Sequence, residues 1–307
     1  ERARRGKGPS LIQSDVVRLL PHSSSDDQHK YRSAEDLEAD RNRDPLLTFA
    51  NTCIKAGAAK QEEFDKILAL VKSQVDEDAE WAEAQPDPHS NDILKNVYIN
   101  VVPADTPEPS PNSGEKIVLV DAINHALDEE LAYNNKMIIY GQDIAGGKGG
   151  VFTATRGLTD KHGTDKVFNS PLAESSIIGT AIGLATLGYK PVVEIQFGDY
   201  IWYSMMQIRN EVATMLYRSN GDWSCPIVIR VPIGGYIHGS LCHSQCIEGF
   251  FAHLPGIYIA YPSNAADAKG LLKMACRMDD PVMFMEHKGI YRQGFASSPE
   301  PDYNYLL

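Results

Sequence analysis

The stretch Phe168-Asn-Ser-Pro-Leu-Ala-Glu-Ser-Ser-Ile-Ile-Gly-Thr-Ala-Ile-Gly-Leu-Ala-Thr-Leu-Gly-Tyr-Lys-Pro-Val-Val-Glu-Ile-Gln-Phe-Gly-Asp-Tyr200 decides how this chain is read. It puts one carboxylate, Glu174, at the mouth of an apolar segment whose Gly179, Ala181, Gly183 and Ala185 are small enough for close packing. The spacing predicts a helix from about Glu174 to Leu187, stopped by Gly188 as a C-terminal cap. The run Pro191 to Phe197 then reads as a buried strand. It ends in a loop carrying Gln196, Asp199 and Tyr200, where α/β sheets usually hold their ligands. Taken alone, Glu174 has a plain explanation as a first-turn acid favoured by the helix dipole, worth roughly a few tenths of a kcal/mol.

Strand and helix alternate around this centre. A helix is predicted near Val120 to Tyr133, a strand at Met137 to Tyr140 and a helix at Ile201 to Arg218. Strands follow at Ile227 to Val231, Ile257 to Tyr261 and Val282 to Glu286, with helices from about Gln245 and from Asn264. Such alternation of short apolar strands with helices specifies an α/β fold, a parallel sheet covered by helices on both faces. No internal repeat is visible.

Upstream the pattern is mostly helical. A strand is predicted near Ser10 to Leu19, leading into the polar loop His22-Ser-Ser-Ser-Asp-Asp27. Ser33 with Asp36 reads as a capped helix start, and Asp44-Pro45 opens a second helix that Gly57 ends. Residues Gln61 to Glu83 carry Phe64, Ile67, Leu68, Val71 and Val75 at helical spacing. The segment 103–116 holds four prolines and almost no apolar group, the clearest linker in the sequence. The expected organisation is therefore residues 1–102, a Pro-rich linker at 103–116, and an α/β domain at 117–307.

Composition narrows the function. The 307 residues carry a formal charge of -12, with 43% hydrophobic and 23% charged residues. That balance fits a soluble globular protein and argues against a nucleic-acid binder. No apolar run approaches the roughly 18 residues needed to span a bilayer. The five cysteines are irregularly spaced, as in a cytoplasmic protein with reduced thiols. Cys242 and Cys246 flank His243, but no second ligand pair follows, and no metal site is expected there. Gly141-Gln-Asp-Ile-Ala-Gly-Gly-Lys-Gly-Gly150 lacks the Gly-Lys-Ser/Thr ending of a phosphate loop and reads as a plain loop. His243, in the glycine-rich segment after Gly234 and Gly235, is a plausible proton carrier at neutral pH, with a helix-capping His-Ser pair as the alternative.

These motifs together resemble the thiamine-diphosphate-dependent 2-oxo acid dehydrogenases, in their decarboxylating component. The central stretch and His-Ser-Gln followed by Phe-Phe-Ala-His-Leu-Pro-Gly-Ile are similar to the β half, a transketolase-like pyrimidine-binding domain. Arg18, His22-Ser-Ser-Ser-Asp-Asp27 and Tyr31-Arg-Ser33 resemble the end of the α half, particularly of the branched-chain type. The linker falls where an α half would end and a β half begin, so the resemblance implies fused halves, of which this chain is a fragment.

The resemblance implies that Glu174 hydrogen-bonds the aminopyrimidine of the cofactor and drives its tautomerisation, kept dry by apolar neighbours. It implies that Leu172, Gln196 and Tyr200 line the pyrimidine pocket and that His243 and His22 are catalytic. It also implies oxidative decarboxylation of a 2-oxo acid, transfer of the acyl group to a lipoyl-bearing acyltransferase partner, and a dimer. The family holds the diphosphate and magnesium through Gly-Asp-Gly followed by a later Asn. Here Gly198-Asp199-Tyr200 and Gly221-Asp222-Trp223 both lack the third glycine. Thiamine diphosphate and Mg2+ are thus implied while their diphosphate motif is missing, and this chain alone is expected to be inactive. Pyruvate is the rival substrate, and a non-catalytic assembly subunit the rival function. The alternative to that dimer is self-association of the fragment through the exposed helix at Ser204 to Arg218.

Overall fold

A computed structural model of the chain describes residues 1–99 and 114–307. The chain divides into two compact units, Glu1–Pro88 and His89–Leu307. The Pro-rich segment expected at 103–116 falls almost wholly outside the described residues.

The first unit is helical: α1 (Ala34–Arg41), α2 (Pro45–Lys55) and α3 (Gln61–Glu83). Their boundaries follow local chemistry. The Ser33 hydroxyl accepts from the Asp36 amide at 3.1 Å, and Asp44 caps α2 with Pro45 in its first turn. Gly57, at φ +69°, takes the left-handed position that ends α2. The Arg32 guanidinium bridges Asp36 and Asp40, each at 2.6 Å. The strand expected near 10–19 is absent. Those residues form no regular element and leave Leu11, Ile12 and Val16 exposed. A β-branched run becomes a strand only where another strand accepts its ladder bonds, and the described residues of this unit contain none.

In the second unit six parallel strands form one sheet: β2 (Met137–Gly141), β3 (Val167–Asn169), β4 (Lys190–Glu194), β5 (Val228–Ile233), β6 (Tyr258–Ala260) and β7 (Val282–His287), in the order β3-β2-β4-β5-β7-β6. A short antiparallel pair, β1 (Lys116–Ile117) with β8 (Ser298–Pro299), stands apart. The helices are α4 (Leu119–Tyr133), α5 (Leu158–His162), α6 (Glu174–Thr186), α7 (Met215–Arg218), α8 (Glu248–Phe251) and α9 (Ala265–Arg277).

Strand side chains alternate between two cores. Val192, Val228, Val282 and Phe284 pack with α4 and α9 on one face. Val193, Ile229, Met283 and Met285 pack with α6 and the segment after it on the other. Both faces are dry, which is why each strand reads as a nearly unbroken apolar run. Salt bridges also tie α4 to α9: Arg277 reaches Glu130 at 2.8 Å and Lys269 reaches Glu129 at 2.7 Å. Residues 89–99 belong to this unit. The Ile99 amide donates to Asp280 at 3.0 Å, and the Tyr98 ring sits 4.7 Å from that of Tyr258.

The helix stop at Gly188 holds: at φ +80° its amide donates to the Ala185 carbonyl and that of Tyr189 to Leu184. Two helices differ from expectation. Residues 198–218 form a 3-10 segment (Gly198–Ser204), a wide turn (Gln207–Val212) and the short α7, rather than one helix. The Ala213 amide reaches back five residues to the Ile208 carbonyl, a π-type step. It keeps Ile201, Ser204, Ile208 and Val212 buried on one side, so the apolar spacing in sequence is the same as for a continuous α-helix. The helix expected from Gln245 begins at Glu248 and lasts one turn.

Candidate functional site

The residues singled out in sequence in this unit gather at the carboxyl ends of the sheet strands, joined there by Gln142, which was not. Gln142 follows β2, Glu174 opens α6, Gln196 and Tyr200 follow β4, and His243 lies between β5 and α8. The Gln142 side-chain amide donates to Glu174 Oε1 at 3.1 Å. The Gln196 amide donates to the Gln142 carbonyl at 3.2 Å, so it holds the backbone that aims Gln142. Glu174 Oε2 has no hydrogen-bond partner among the described residues. Glu174 is half-buried rather than dry, and Leu172 beside it is 82% exposed. A carboxylate in the first turn of a helix, with the loop before it open to solvent, is not sealed by apolar residues that lie deeper along the helix.

The second pair is Tyr200 with His243, oxygen to Nε2 at 2.8 Å. His243 Nδ1 lies 3.0 Å from the Gly239 carbonyl. A carbonyl only accepts, so Nδ1 carries the ring proton and Nε2 of the neutral imidazole accepts from the Tyr200 hydroxyl. The Phe197 ring stands edge-on to the imidazole at 4.6 Å. Burial pushes the Tyr200 phenol up, followed by the negative fields of Cys242, Asp199 and Glu174. The loop carrying His243 is pinned at its base, where the Gly234 amide donates to the Gln245 carbonyl at 3.0 Å. Gly234 sits at φ +80°, and a Cβ there would fall 2.3 Å from the His287 ring, so only glycine fits.

Beneath the site, inside the sheet, Arg230 on β5 lies between Glu194 on β4 at 2.8 Å and Glu286 on β7 at 2.7 Å. The Tyr291 hydroxyl donates to Glu286 at 2.5 Å. All four side chains are buried. Burial and then the Glu286 charge hold the Glu194 carboxyl above its usual range against the opposing pull of Arg230.

His22 belongs to the first unit and is exposed, with its backbone amide donating to Asp26 at 2.9 Å. Among the described residues no group of three or more His, Cys, Asp or Glu is placed to hold a metal ion, and Cys242 and Cys246 are both exposed. Sequence reasoning passed over two things. Gln142 was absorbed into the glycine-rich loop, although its place just after a strand end was a signal. The Glu194–Arg230–Glu286 chain was missed, although a charge at the end or middle of three largely apolar strands marked it.

Residues 115–293, more than half of the chain, match the family model described as "Transketolase, pyrimidine binding domain", and residues 1–91 match "Dehydrogenase E1 component". A "2-oxoisovalerate dehydrogenase subunit beta" of Bacillus subtilis is 50% identical over 60% of this chain and 56% of its own length. A "Pyruvate dehydrogenase E1 component subunit beta" of the same organism is 43% identical over 62% of this chain and 59% of its own. The mitochondrial "2-oxoisovalerate dehydrogenase subunit beta" of Dictyostelium discoideum is 45% identical over 64% of this chain and 53% of its own. The chain thus spans about half the length of the curated relatives it matches. With the expected parallel sheet and the match over 115–293 both in hand, the chain belongs to the transketolase pyrimidine-binding domain family, preceded here by a stretch similar to the dehydrogenase E1 component.

Proposed function

We propose that the chain is part of a thiamine-diphosphate-dependent 2-oxo acid dehydrogenase of the branched-chain type, which decarboxylates the acid and passes the acyl group to lipoamide on an acyltransferase partner. The observation that carries this reading is the Glu174 carboxylate, oriented through one oxygen by Gln142 and open at the other. An open carboxylate oxygen fits a ring-nitrogen proton of an aminopyrimidine. When bound, thiamine diphosphate supplies the nucleophilic carbon and the electron sink for decarboxylation. Glu174 Oε2 holds and returns the pyrimidine proton, and the Gln142 amide keeps the carboxylate aimed. Leu172, Gln196 and Tyr200 border the ring.

His243 holds a proton on Nδ1 against Gly239 and offers Nε2, through Tyr200, as a relay toward the reacting acid. His22 serves the acyl-transfer step. The diphosphate and Mg2+ are held by residues other than these, since the chain has no Gly-Asp-Gly string. Greater identity to a branched-chain than to a pyruvate relative, 50% against 43%, favours a branched-chain 2-oxo acid. A dimer, a cytoplasmic location and inactivity of this chain by itself complete the proposal.

The test is calorimetric titration of thiamine diphosphate with magnesium into this chain alone and into the complete protein, each as wild type and Glu174→Gln. It is paired with turnover of 3-methyl-2-oxobutanoate and pyruvate. Tight binding in the complete protein only, with turnover lowered by about 10²–10⁴-fold in the Gln variant, is the expected result. Absence of binding in both forms leaves an assembly subunit as the function, and preferential turnover of pyruvate reassigns the substrate.

A further inference from the structure

The loop that carries His243 runs from Gly234 to Gln245, between β5 and α8. His238 at φ +53° and Ser240 at φ +57° both sit in the left-handed region, which residues other than glycine hold only where their surroundings fix it. Charged side chains take hold of both ends of this loop. The register of β5 with β7 pairs Ile233 with His287, so Lys288 stands beside Gly234 where the loop leaves the sheet. Its ammonium donates to the Gly234 carbonyl, its one hydrogen bond among the described residues. At the far end the Gln245 amide donates to Asp199 Oδ2 at 3.2 Å, and the Trp202 indole donates to the Gln245 side-chain oxygen at 3.0 Å. Tyr200, the neighbour of Asp199, meets His243 Nε2, so one turn holds both the loop backbone and the imidazole.

Both grips are charge-assisted hydrogen bonds, roughly twice as strong as neutral ones. They are held at a cost. Lys288 is 1% exposed, and burial pulls its amine below the ordinary range, with the field of Asp199 the first to oppose it. Asp199 Oδ1 is itself buried without a hydrogen-bond partner among the described residues. A buried ammonium whose one hydrogen bond goes to a neutral carbonyl destabilises a fold, and a methionine of similar length would avoid that cost. Stability alone therefore gives no reason for the charge, whereas anchoring a strained loop does. The Lys288 ammonium also lies 5.6 Å from the Phe197 ring, the same ring that stands edge-on to His243 at 4.6 Å.

We infer that Lys288 and Asp199 are positioning residues, which clamp the two ends of the 234–245 loop and thereby keep His243 protonated on Nδ1 with Nε2 turned to Tyr200. The tautomer of a histidine is set by the bond its other nitrogen makes, here Nδ1 to the Gly239 carbonyl inside the loop. Release of either end lets Gly239 move off Nδ1. The ring then takes its proton on Nε2, where it can no longer accept from the Tyr200 hydroxyl. The catalytic meaning of this clamp rests on the reading of His243 as a proton carrier; the clamp itself does not.

The full chain with isotope-labelled histidine tests this by two-bond proton–nitrogen correlation spectra at about pH 8, where an ordinary imidazole is neutral. The His243 signals are assigned by their loss in His243→Gln. The wild type is expected to carry the proton on Nδ1, and Lys288→Met and Asp199→Ala are each expected to make the Nε2-protonated form the major one. Asp199→Asn, which keeps an oxygen for the Gln245 amide, is expected to keep Nδ1–H as the major form. A wild type protonated on Nε2, or an unmoved tautomer in folded Lys288→Met and Asp199→Ala, would overturn the clamp. If circular dichroism shows that Lys288→Met does not fold, the half-buried Asp199 decides through its Ala and Asn variants. In the complete protein Lys288→Met is expected to lower kcat by about tenfold or more with thiamine diphosphate affinity unchanged, and the opposite split would count against positioning. The tautomer is read without cofactor or turnover, so it stands or falls apart from the thiamine diphosphate titration through Glu174.

Discussion

The two units use helices of similar pattern to opposite effect. α3 carries an apolar stripe over 23 residues and buries none of them, whereas the 15 residues of α4 include Leu119, Val120, Ile123, Ala126, Leu127 and Leu131 in a dry core. An amphipathic period states which face of a helix wants to be covered; it does not supply the cover. In the second unit the sheet does, from both sides. The ion pairs differ in the same way. Arg32 and its aspartates keep part of their surface in water, Asp36 more than half, and water screens them. Arg230 and its glutamates are sealed within the sheet, where nothing does.

The hardest test of that contrast is Arg230→Met, which leaves two buried carboxylates facing each other. It is expected to cost about 3–5 kcal/mol in urea unfolding of the second unit, part of it recovered on acidification as a carboxylate takes up a proton. Arg32→Met is expected to leave the same unfolding curve unmoved. Next in size, Leu127→Ala is expected to cost about 2–5 kcal/mol by opening a cavity. The matched change Leu68→Ala on α3, where Leu68 is 71% exposed, is expected to stay within about 0.5 kcal/mol. Equal effects at the two leucines would break the comparison.

Lys190 sharpens it through pH. Burial pushes this amine down from 10.5 to about 8, although it donates to the Met278 carbonyl at 2.7 Å. Below that value the lysine is charged in both folded and unfolded chains, and the folded state bears the full cost. Between it and 10.5 the folded state has lost the proton while the unfolded chain still binds it, so stability rises with pH. Urea unfolding of wild type against Lys190→Met is expected to show the wild type gaining up to about 3 kcal/mol relative to the variant across that window. A flat difference would mean the amine is not desolvated. Smallest, Ser33→Ala removes the α1 cap and is expected to lower the helix signal of the first unit by an amount worth about 1 kcal/mol.

Much of this architecture was legible in the residues. The limits of α2 and α3 followed from Asp44-Pro45, Gly57 and the 3.6-residue period, and the parallel sheet followed from alternating apolar strands and helices. What failed depended on neighbours distant in sequence. Residues 10–19 have strand composition but no strand to pair with. The π-type step at Ala213 keeps the apolar spacing of an α-helix, so no local pattern could reveal it. At the site, Glu174, Gln196, Tyr200 and His243 were all singled out, and the structure places them at one end of the sheet. The partnership of Gln142 with Glu174 spans 32 positions and joins two strand ends that only the sheet order makes adjacent.

The small pairing of β1 with β8 has a topological consequence. Lys116 lies opposite Pro299 in antiparallel register, so the two ends of the segment that carries the six-stranded sheet meet at one corner. A short bridge between 116 and 299 would close that segment into a ring without rerouting any strand, while residues 89–99 and 300–307 clasp it from outside the ring.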